Sequence, residues 1–325
     1  MSGSNKSFVT EFILLGFSVT PELQPLMASL FLFMYLLTIA ANLLIIGVVR
    51  LSRQLHTPMY FFIGNFSFLE IWYTSVTVPK LLAGLITGNK TISVHGCIAQ
   101  FYLLFVFGST ENFLLAVMAY DRYLAICNPL HYATVMTGIV CICLAVGSWV
   151  AGLLAPLMPA ILISMSVFCG SQEIDHFYCD FPPLLRLSCI TNPLNEVVFF
   201  ALACIVILGC FVSIMVSYAY IISAILRISS SVGRQRAFST CASHLAVVGI
   251  FYGSLIFMYI RPSASHSSQL DKVVSVFYCV VTPVLNPVIY SLRNKEVKNA
   301  LCKPARHFLS KNFPFSRMFL SGEIK

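Results

Sequence analysis

Residues 108 to 127 read GSTENFLLAVMAYDRYLAIC, which sets Glu111 in the middle of an apolar run and Asp121 and Arg122 ten and eleven positions further on. A helix turns about 100° per residue, so eleven positions bring Glu111 and Arg122 onto one face, shared with Leu104, Gly108, Leu115 and Met118. A second isolated carboxyl, Glu70, lies in SFLEIWY. In an apolar solvent a carboxylate costs several kcal/mol, so both must point at protein rather than at hydrocarbon. Ten residues at 1.5 Å each put Glu111 about 15 Å from Asp121, near the midplane of a span that ends there. Glu70 falls at the same depth of its own span. Two carboxyls at one depth repel when both ionise, so they share a proton or flank a cation, with Asn42 and Asn286 as neutral neighbours. The alternative is that each is protonated and hydrogen-bonded to an adjacent helix. Neither arrangement is catalysis.

The elements that must hold these groups follow from composition. The 325 residues are 58% hydrophobic and 10% charged, with a mean hydropathy of +0.86, which is membrane rather than soluble composition. A bilayer core takes about 20 helical residues to cross. Seven segments have that size, at about 26–49, 58–80, 97–121, 139–163, 197–224, 237–260 and 273–292. Two stretches, Leu23 to Val49 and Val197 to Leu226, hold no Lys, Arg, Asp or Glu, unlike the short alternating strands of a lipid-spanning barrel. The expected fold is an all-α membrane protein, a seven-transmembrane helix bundle. It divides into a tail over 1–25, the seven-span bundle over 26–292, and a helix and tail over 293–325. No cleavable signal peptide is expected, because the first 24 residues lack a basic start followed by an apolar core.

Loop charges orient the bundle. With the N-terminus outside, 14 of the 20 Lys and Arg residues lie on the cytoplasmic side and six outside. The expected topology is therefore N-terminus extracellular and C-terminus cytoplasmic, with a short amphipathic helix, RNKEVKNAL, after the seventh span. The net charge of +8 is accounted for by this topology and the basic tail, without nucleic acid. Of twelve cysteines, Cys97, Cys169, Cys179 and Cys189 fall at the outer face, where disulfides persist and four thiols allow three pairings. The sequon at Asn5 lies on the outer tail and is a candidate glycan site. A second, at Asn89, lies close to the membrane, and a third, at Asn65, falls inside a span.

Asp121, Arg122 and Tyr123 close the third span, and NPVIY, Asn286 to Tyr290, closes the seventh. Pro287 and Asn286 loosen the backbone ladder, as suits a helix that must move. At these residues the chain resembles the rhodopsin-like G-protein-coupled receptors, and among them the odorant receptors. The resemblance is carried by PMYFFIGNFSFLE from Pro58, MAYDRYLAICNPLHY from Met118, Ser217 with Tyr218, RAFSTCASHL from Arg236, FYG from Phe251 and PVLNPVIYSLRNKEV from Pro283. Glu70 stands where the family more often has Asp, Arg236 where it more often has Lys, and the tail beyond Leu301 is long.

The resemblance implies that Asp121 holds Arg122 at rest and that Arg122 turns toward a heterotrimeric G protein on activation, while Tyr218 and Tyr290 rearrange. Arg234 and Arg236 would border that contact. It implies pairing of Cys97 with Cys179 and of Cys169 with Cys189. It also implies a stimulatory, olfactory-type G protein that raises cyclic AMP, and residence in the plasma membrane of sensory cilia. Cys302 is a candidate for palmitoylation.

The ligand cavity is expected in the outer half, between helices three, five, six and seven. Helix three offers Leu104, Phe105, Gly108 and Ser109, helix five Leu202 and Val206, helix six Tyr252, Leu255, Ile256 and Tyr259, and helix seven Val276 and Cys279. Such a lining suits a small, mostly apolar odorant held by dispersion and one or two hydrogen bonds. Each aromatic can equally serve as packing between helices. Position 104 is Leu, not the carboxylate that an amine receptor needs, and no lysine lies between Lys272 and Lys295 to carry a retinal Schiff base. The run HFYCD from His176 leaves too few ligands for a closed zinc site once Cys179 is in a disulfide. No metal or other cofactor is expected. Zinc-protease, Walker-type and GxSxG signatures are missing, which argues against an enzyme. The chief rival is an ion- or proton-coupled transporter using Glu70 and Glu111, but the two homologous halves of such carriers are not seen. A channel of inverted topology is opposed by the loop charges.

Overall fold

A computed structural model of the chain describes residues 9–169, 171–189, 193–227, 230–260 and 268–292. Helix α1, Gln24–Leu51, opens on Pro25, whose missing N–H costs nothing in a first turn. It ends at Ser52, where the chain turns extended. Helix α2, Pro58–Thr87, also opens on proline and stops at Gly88, whose φ of 72° is a left-handed conformation open to glycine. Helix α3, Val94–Cys127, is capped by Ser93, whose hydroxyl accepts from the Gly96 amide at 3.1 Å.

The short helix α4, Pro129–Val135, leads to α5, Gly138–Leu154, capped by Thr137. The span expected over 139–163 is not one rod. Pro156 cannot donate to the preceding turn, and the chain turns there before α6, Leu157–Ser164. A loop helix, α7, Phe181–Arg186, precedes the long α8, Pro193–Leu226, and α9, Ser231–Tyr259. The last crossing begins as α10, Ser268–Val276, widens into a π-helical turn over Phe277–Val281, and resumes as α11, Thr282–Leu292. The Thr282 hydroxyl donates to the Phe277 carbonyl at 2.9 Å inside that turn.

Seven crossings form a closed ring. α1 packs on α2 and on α11, α8 on α9, and α9 on α11. α3 runs through the middle and touches α2, α5, α6 and α8. It is the most buried of the four long apolar crossings found among the described residues, and small residues and polar groups suit its close neighbours. The outer rods carry their large apolar side chains outward, as with Leu26, Ile139 and Ile205, each at least two-thirds exposed. Among the described residues, four crossings are long and apolar enough to span a bilayer by length and composition: α1, α3, α5 with α6, and α8. At Gly152 of α5, an added Cβ would sit 1.9 Å from the Thr110 Oγ1 of α3, so the two helices touch backbone to side chain.

One element departs from the all-helical expectation. Strand β1, Glu11–Leu14, pairs antiparallel with β2, Thr91–Ser93, and parallel with β3, Glu173–Ile174. The sheet ties the N-terminal segment to the first and second outer loops. Phe12, fully buried, meets Phe168 edge to face at 5.1 Å between ring centroids.

Candidate ligand cavity and switch residues

The cavity is built from α3 outward. Leu104, Phe105, Gly108 and Ser109 line one wall at helical spacing, and Leu202 and Val206 of α8 and Leu255 and Tyr259 of α9 line another. Phe105 lies 5.4 Å from Phe199 and 5.5 Å from Tyr259, ring centre to ring centre. The cavity volume is about 60 Å³.

Four residues expected in the lining do not line it. Tyr252 is buried and packs against Phe211 at 5.3 Å. It lies seven positions before Tyr259, about 10 Å deeper in the same helix. Ile256 lies off the facing stripe. Val276 and Cys279 do not line it either; Tyr278, within the π turn, faces the cavity instead. The structure adds Tyr73 and Asn112 at the floor, Phe199 on α8, and Ala155, Pro156 and Pro159 at the break between α5 and α6. Phe199, Leu202, Ala203, Val206 and Ile207 repeat at three- and four-residue steps, so Phe199 was legible from spacing. The π turn and the proline break were not.

Asn112 is the most informative addition. Its Nδ2 donates to the Gly108 carbonyl at 2.8 Å, and its Oδ1 is buried without a hydrogen-bond partner among the described residues.

The roof is the second outer loop. Cys179 is disulfide-bonded to Cys97 at the top of α3, and Cys169 to Cys189, the two pairs the resemblance implies. Gln100 fixes the same point, accepting from the Cys179 amide at 3.0 Å and donating to the Val76 carbonyl at 2.9 Å. Just beyond, Phe181 stacks on Phe199 with centroids 3.8 Å apart. Asp180 is buried beneath. Its carboxylate accepts from the Tyr259 hydroxyl at 3.3 Å and from the Phe181 amide at 2.8 Å. Tyr259 is hydrogen-bonded to the Tyr278 hydroxyl at 3.0 Å, and Tyr278 to Tyr178. Burial pushes the Asp180 carboxyl up to about 7, against the pull of those hydrogen bonds. Burial and the Lys272 ammonium hold His176 down at about 3, so its imidazole is neutral at pH 7. Lys272 is itself buried and paired with Asp175 at 2.5 Å. Among the described residues no three His, Cys, Asp or Glu side chains converge as metal ligands.

At mid-depth, Glu70 and Glu111 are both fully buried and within electrostatic reach of each other. Asn286 donates from Nδ2 to Glu70 Oε1. Glu70 Oε2, both Glu111 oxygens and Asn286 Oδ1 are buried without a hydrogen-bond partner among the described residues. Asn42 is not joined to them by a hydrogen bond: its Nδ2 donates to the Thr38 carbonyl of its own helix at 2.9 Å.

At the far end, Asp121 and Arg122 are within electrostatic reach of each other but are not in direct ion-pair contact among the described residues. Consecutive residues of a helix point about 100° apart. Asp121 turns inward and accepts from the Tyr132 hydroxyl of α4 at 2.8 Å, while Arg122 lies within electrostatic reach of Tyr218 and Cys241, on α8 and α9. Tyr123 lies against Tyr220 at 5.7 Å. Pro287 sits inside α11. The side chains of Arg236 and Tyr290, the tail at Asn5 and the segment with Cys302 lie outside what the structure describes.

Seven crossings with the third running through the middle, and a roofed apolar cavity above buried carboxyls, are the architecture of a G-protein-coupled receptor. The sequence profile named olfactory receptor matches residues 31–308. Rat olfactory receptor 1f45 is 50% identical over 97% of this chain and 99% of its own length. Human olfactory receptors 6F1 and 11H6 are 52% and 51% identical, over 93% and 90% of this chain and 98% and 89% of their own. The chain belongs to the olfactory receptor family, multi-pass receptors of the plasma membrane and not an enzyme class.

Proposed function

We propose that the chain is an odorant receptor that takes small, uncharged, mostly apolar molecules into the cavity beneath Phe181. Binding there activates a stimulatory heterotrimeric G protein and so raises cyclic AMP. The observation that carries the ligand class is the lining: aromatic and aliphatic walls without an ionic group, and one buried acceptor, Asn112 Oδ1, without a partner. An unpaired buried carbonyl costs about 1–3 kcal/mol, and a ligand hydroxyl that donates to it recovers part of that. Alcohols should therefore activate more strongly than the matching hydrocarbons or ethers. Helix α9, which carries one wall, is tied to the roof by the Tyr259 to Asp180 hydrogen bond.

Orientation with the N-terminus outside, a glycan on Asn5, an amphipathic helix after the seventh span and ciliary residence belong to the same reading, supported by loop charge and resemblance. Glu70, Glu111 and Asn286 form its mid-depth site, where orphaned buried oxygens suit a cation or a shared proton. The test is a cyclic AMP screen of volatile alcohols and their ethers on cells expressing the receptor with its transducer. Asn112→Leu should erase the preference for alcohols while responses to ethers persist. Equal responses to both classes in the unaltered receptor would overturn the assigned ligand chemistry.

A further inference from the structure

The odorant cavity has a roof, a floor and walls on α3 and α9, and its remaining side is the seam between α6 and α8. That seam is lined by small side chains. Ala155, Pro156 and Pro159 face it from the break before α6, and Ala203 faces it from α8. Ala155 and Ala203 are only half-buried. Near them, Leu154, Met158 and Ile205 stand on the lipid-facing surface, 60%, 48% and 69% exposed. The cavity is thus parted from lipid here by alanine methyls and proline rings. The break accounts for the gap, since neither Pro156 nor Pro159 has an N–H with which to continue the ladder of α5. The seam lies at hydrocarbon depth: Ala203 is ten positions into α8, about 15 Å from its outer tip. Above it, the stack of Phe181 on Phe199 and the Tyr259 to Asp180 hydrogen bond close the cavity toward solvent. Below it, the floor presents Asn112, whose Oδ1 is buried without a partner among the described residues.

We propose that the cavity opens sideways into the bilayer through this seam and takes unbranched fatty alcohols. The hydroxyl donates to Asn112 Oδ1, and the alkyl chain leaves between Ala155 and Ala203 into hydrocarbon. This rests on the ligand class proposed above and narrows it. A closed cavity accepts a chain until it is full and then rejects the next methylene, because overpacking forces its walls. A seam that leads to lipid sets no such limit. Each further methylene moves from water to hydrocarbon, about 0.8 kcal/mol or roughly a factor of four in affinity. Ala155, Pro156, Pro159 and Ala203 offer no side-chain hydrogen bond, so the seam suits an alkyl chain and nothing polar along it.

The test is a series of straight-chain primary alcohols, from pentanol to undecanol, applied to cells expressing the full-length receptor with its transducer. Cyclic AMP is read against cells lacking the receptor. The half-maximal concentration should fall about fourfold per methylene, with no cut-off in the series. Ala203→Phe, which sets a ring in the seam, should install a cut-off. The potency of undecanol relative to hexanol should drop about sixtyfold, as three methylenes are denied hydrocarbon. Ala155→Phe should do the same from the other helix, and surface biotinylation shows that each variant reaches the membrane. A ratio between two chain lengths is insensitive to a general loss of response. If neither variant reaches the surface, the profile of the unaltered receptor decides. A cut-off in the unaltered receptor, or a ratio unchanged in the surface-expressed variants, would overturn the sideways opening and leave the preference for alcohols over ethers standing. Silence toward every alcohol would overturn both.

Discussion

At the scale of single residues, the protein's chemistry is concentrated in groups that solvent cannot reach. Asp180 has its carboxyl near 7 instead of its ordinary 3.8, and the sign of the consequence is fixed. A carboxyl whose folded value is raised favours the protonated folded state, so its contribution to stability is full below pH 3.8 and is lost as pH rises through about 7. The roof should hold most firmly in mild acid. Hydrogen exchange at the amides of Cys179 and Phe181 should slow from pH 7.5 to pH 5.5, after correction for intrinsic exchange, by up to about twentyfold, the scale that linkage gives for one carboxyl raised to about 7. Asp180→Asn should remove that dependence, and a pH dependence surviving in the asparagine variant would assign it elsewhere. Glu70 and Glu111 were legible from sequence, since any charge inside an apolar run needs an interior partner. Asn112 was not, because an asparagine in a helix reveals nothing about which of its atoms will be left over until its neighbours are placed.

At the scale of elements, the helices are held by fit as much as by apolarity, since lipid is as apolar as leucine and offers no drive to exclude it. The contact of Gly152 with Thr110 is the tightest instance. Gly152→Ala must force α3 and α5 apart, a change expected to cost about 1–3 kcal/mol and to lower the melting temperature of purified receptor. Thr110→Ala in the same chain should restore part of the loss, because the atom met first is the Thr110 hydroxyl. Strict additivity of the two changes would show that they do not touch. The π turn at Phe277–Val281 and the break at Pro156 are the other element-scale devices, each bringing a residue to the cavity that a regular helix would not. Pro156 was visible in the sequence, but proline is tolerated in many membrane helices, and its effect depends on which neighbours satisfy the freed carbonyls.

At the scale of the whole molecule, two anchors join the ends of the signal path. The Cys97–Cys179 bond closes a loop spanning 82 positions, and removing a native disulfide from a folded domain costs about 2–5 kcal/mol. Cys97→Ser should therefore depress surface expression, as read by flow cytometry of an N-terminal tag, and normal surface levels would deny the roof its structural part. Arg122→Ala should do the reverse: surface expression near that of the unaltered receptor with agonist-driven cyclic AMP abolished, and an undiminished response would remove Arg122 from the switch. The sequence alone determined the solvent, the number of crossings and which charges must face inward, because hydrophobicity and charge act residue by residue and need no partner to be read; the class of receptor came from the resemblance its motifs carry. Tertiary structure decided which aromatics line the cavity and which merely pack, that Asp121 accepts from Tyr132, and that a strand from the N-terminal segment joins the outer loops. Each of these depends on the rotation of one helix against another and on backbone pairs between distant segments, and neither quantity is a property of any single stretch of chain.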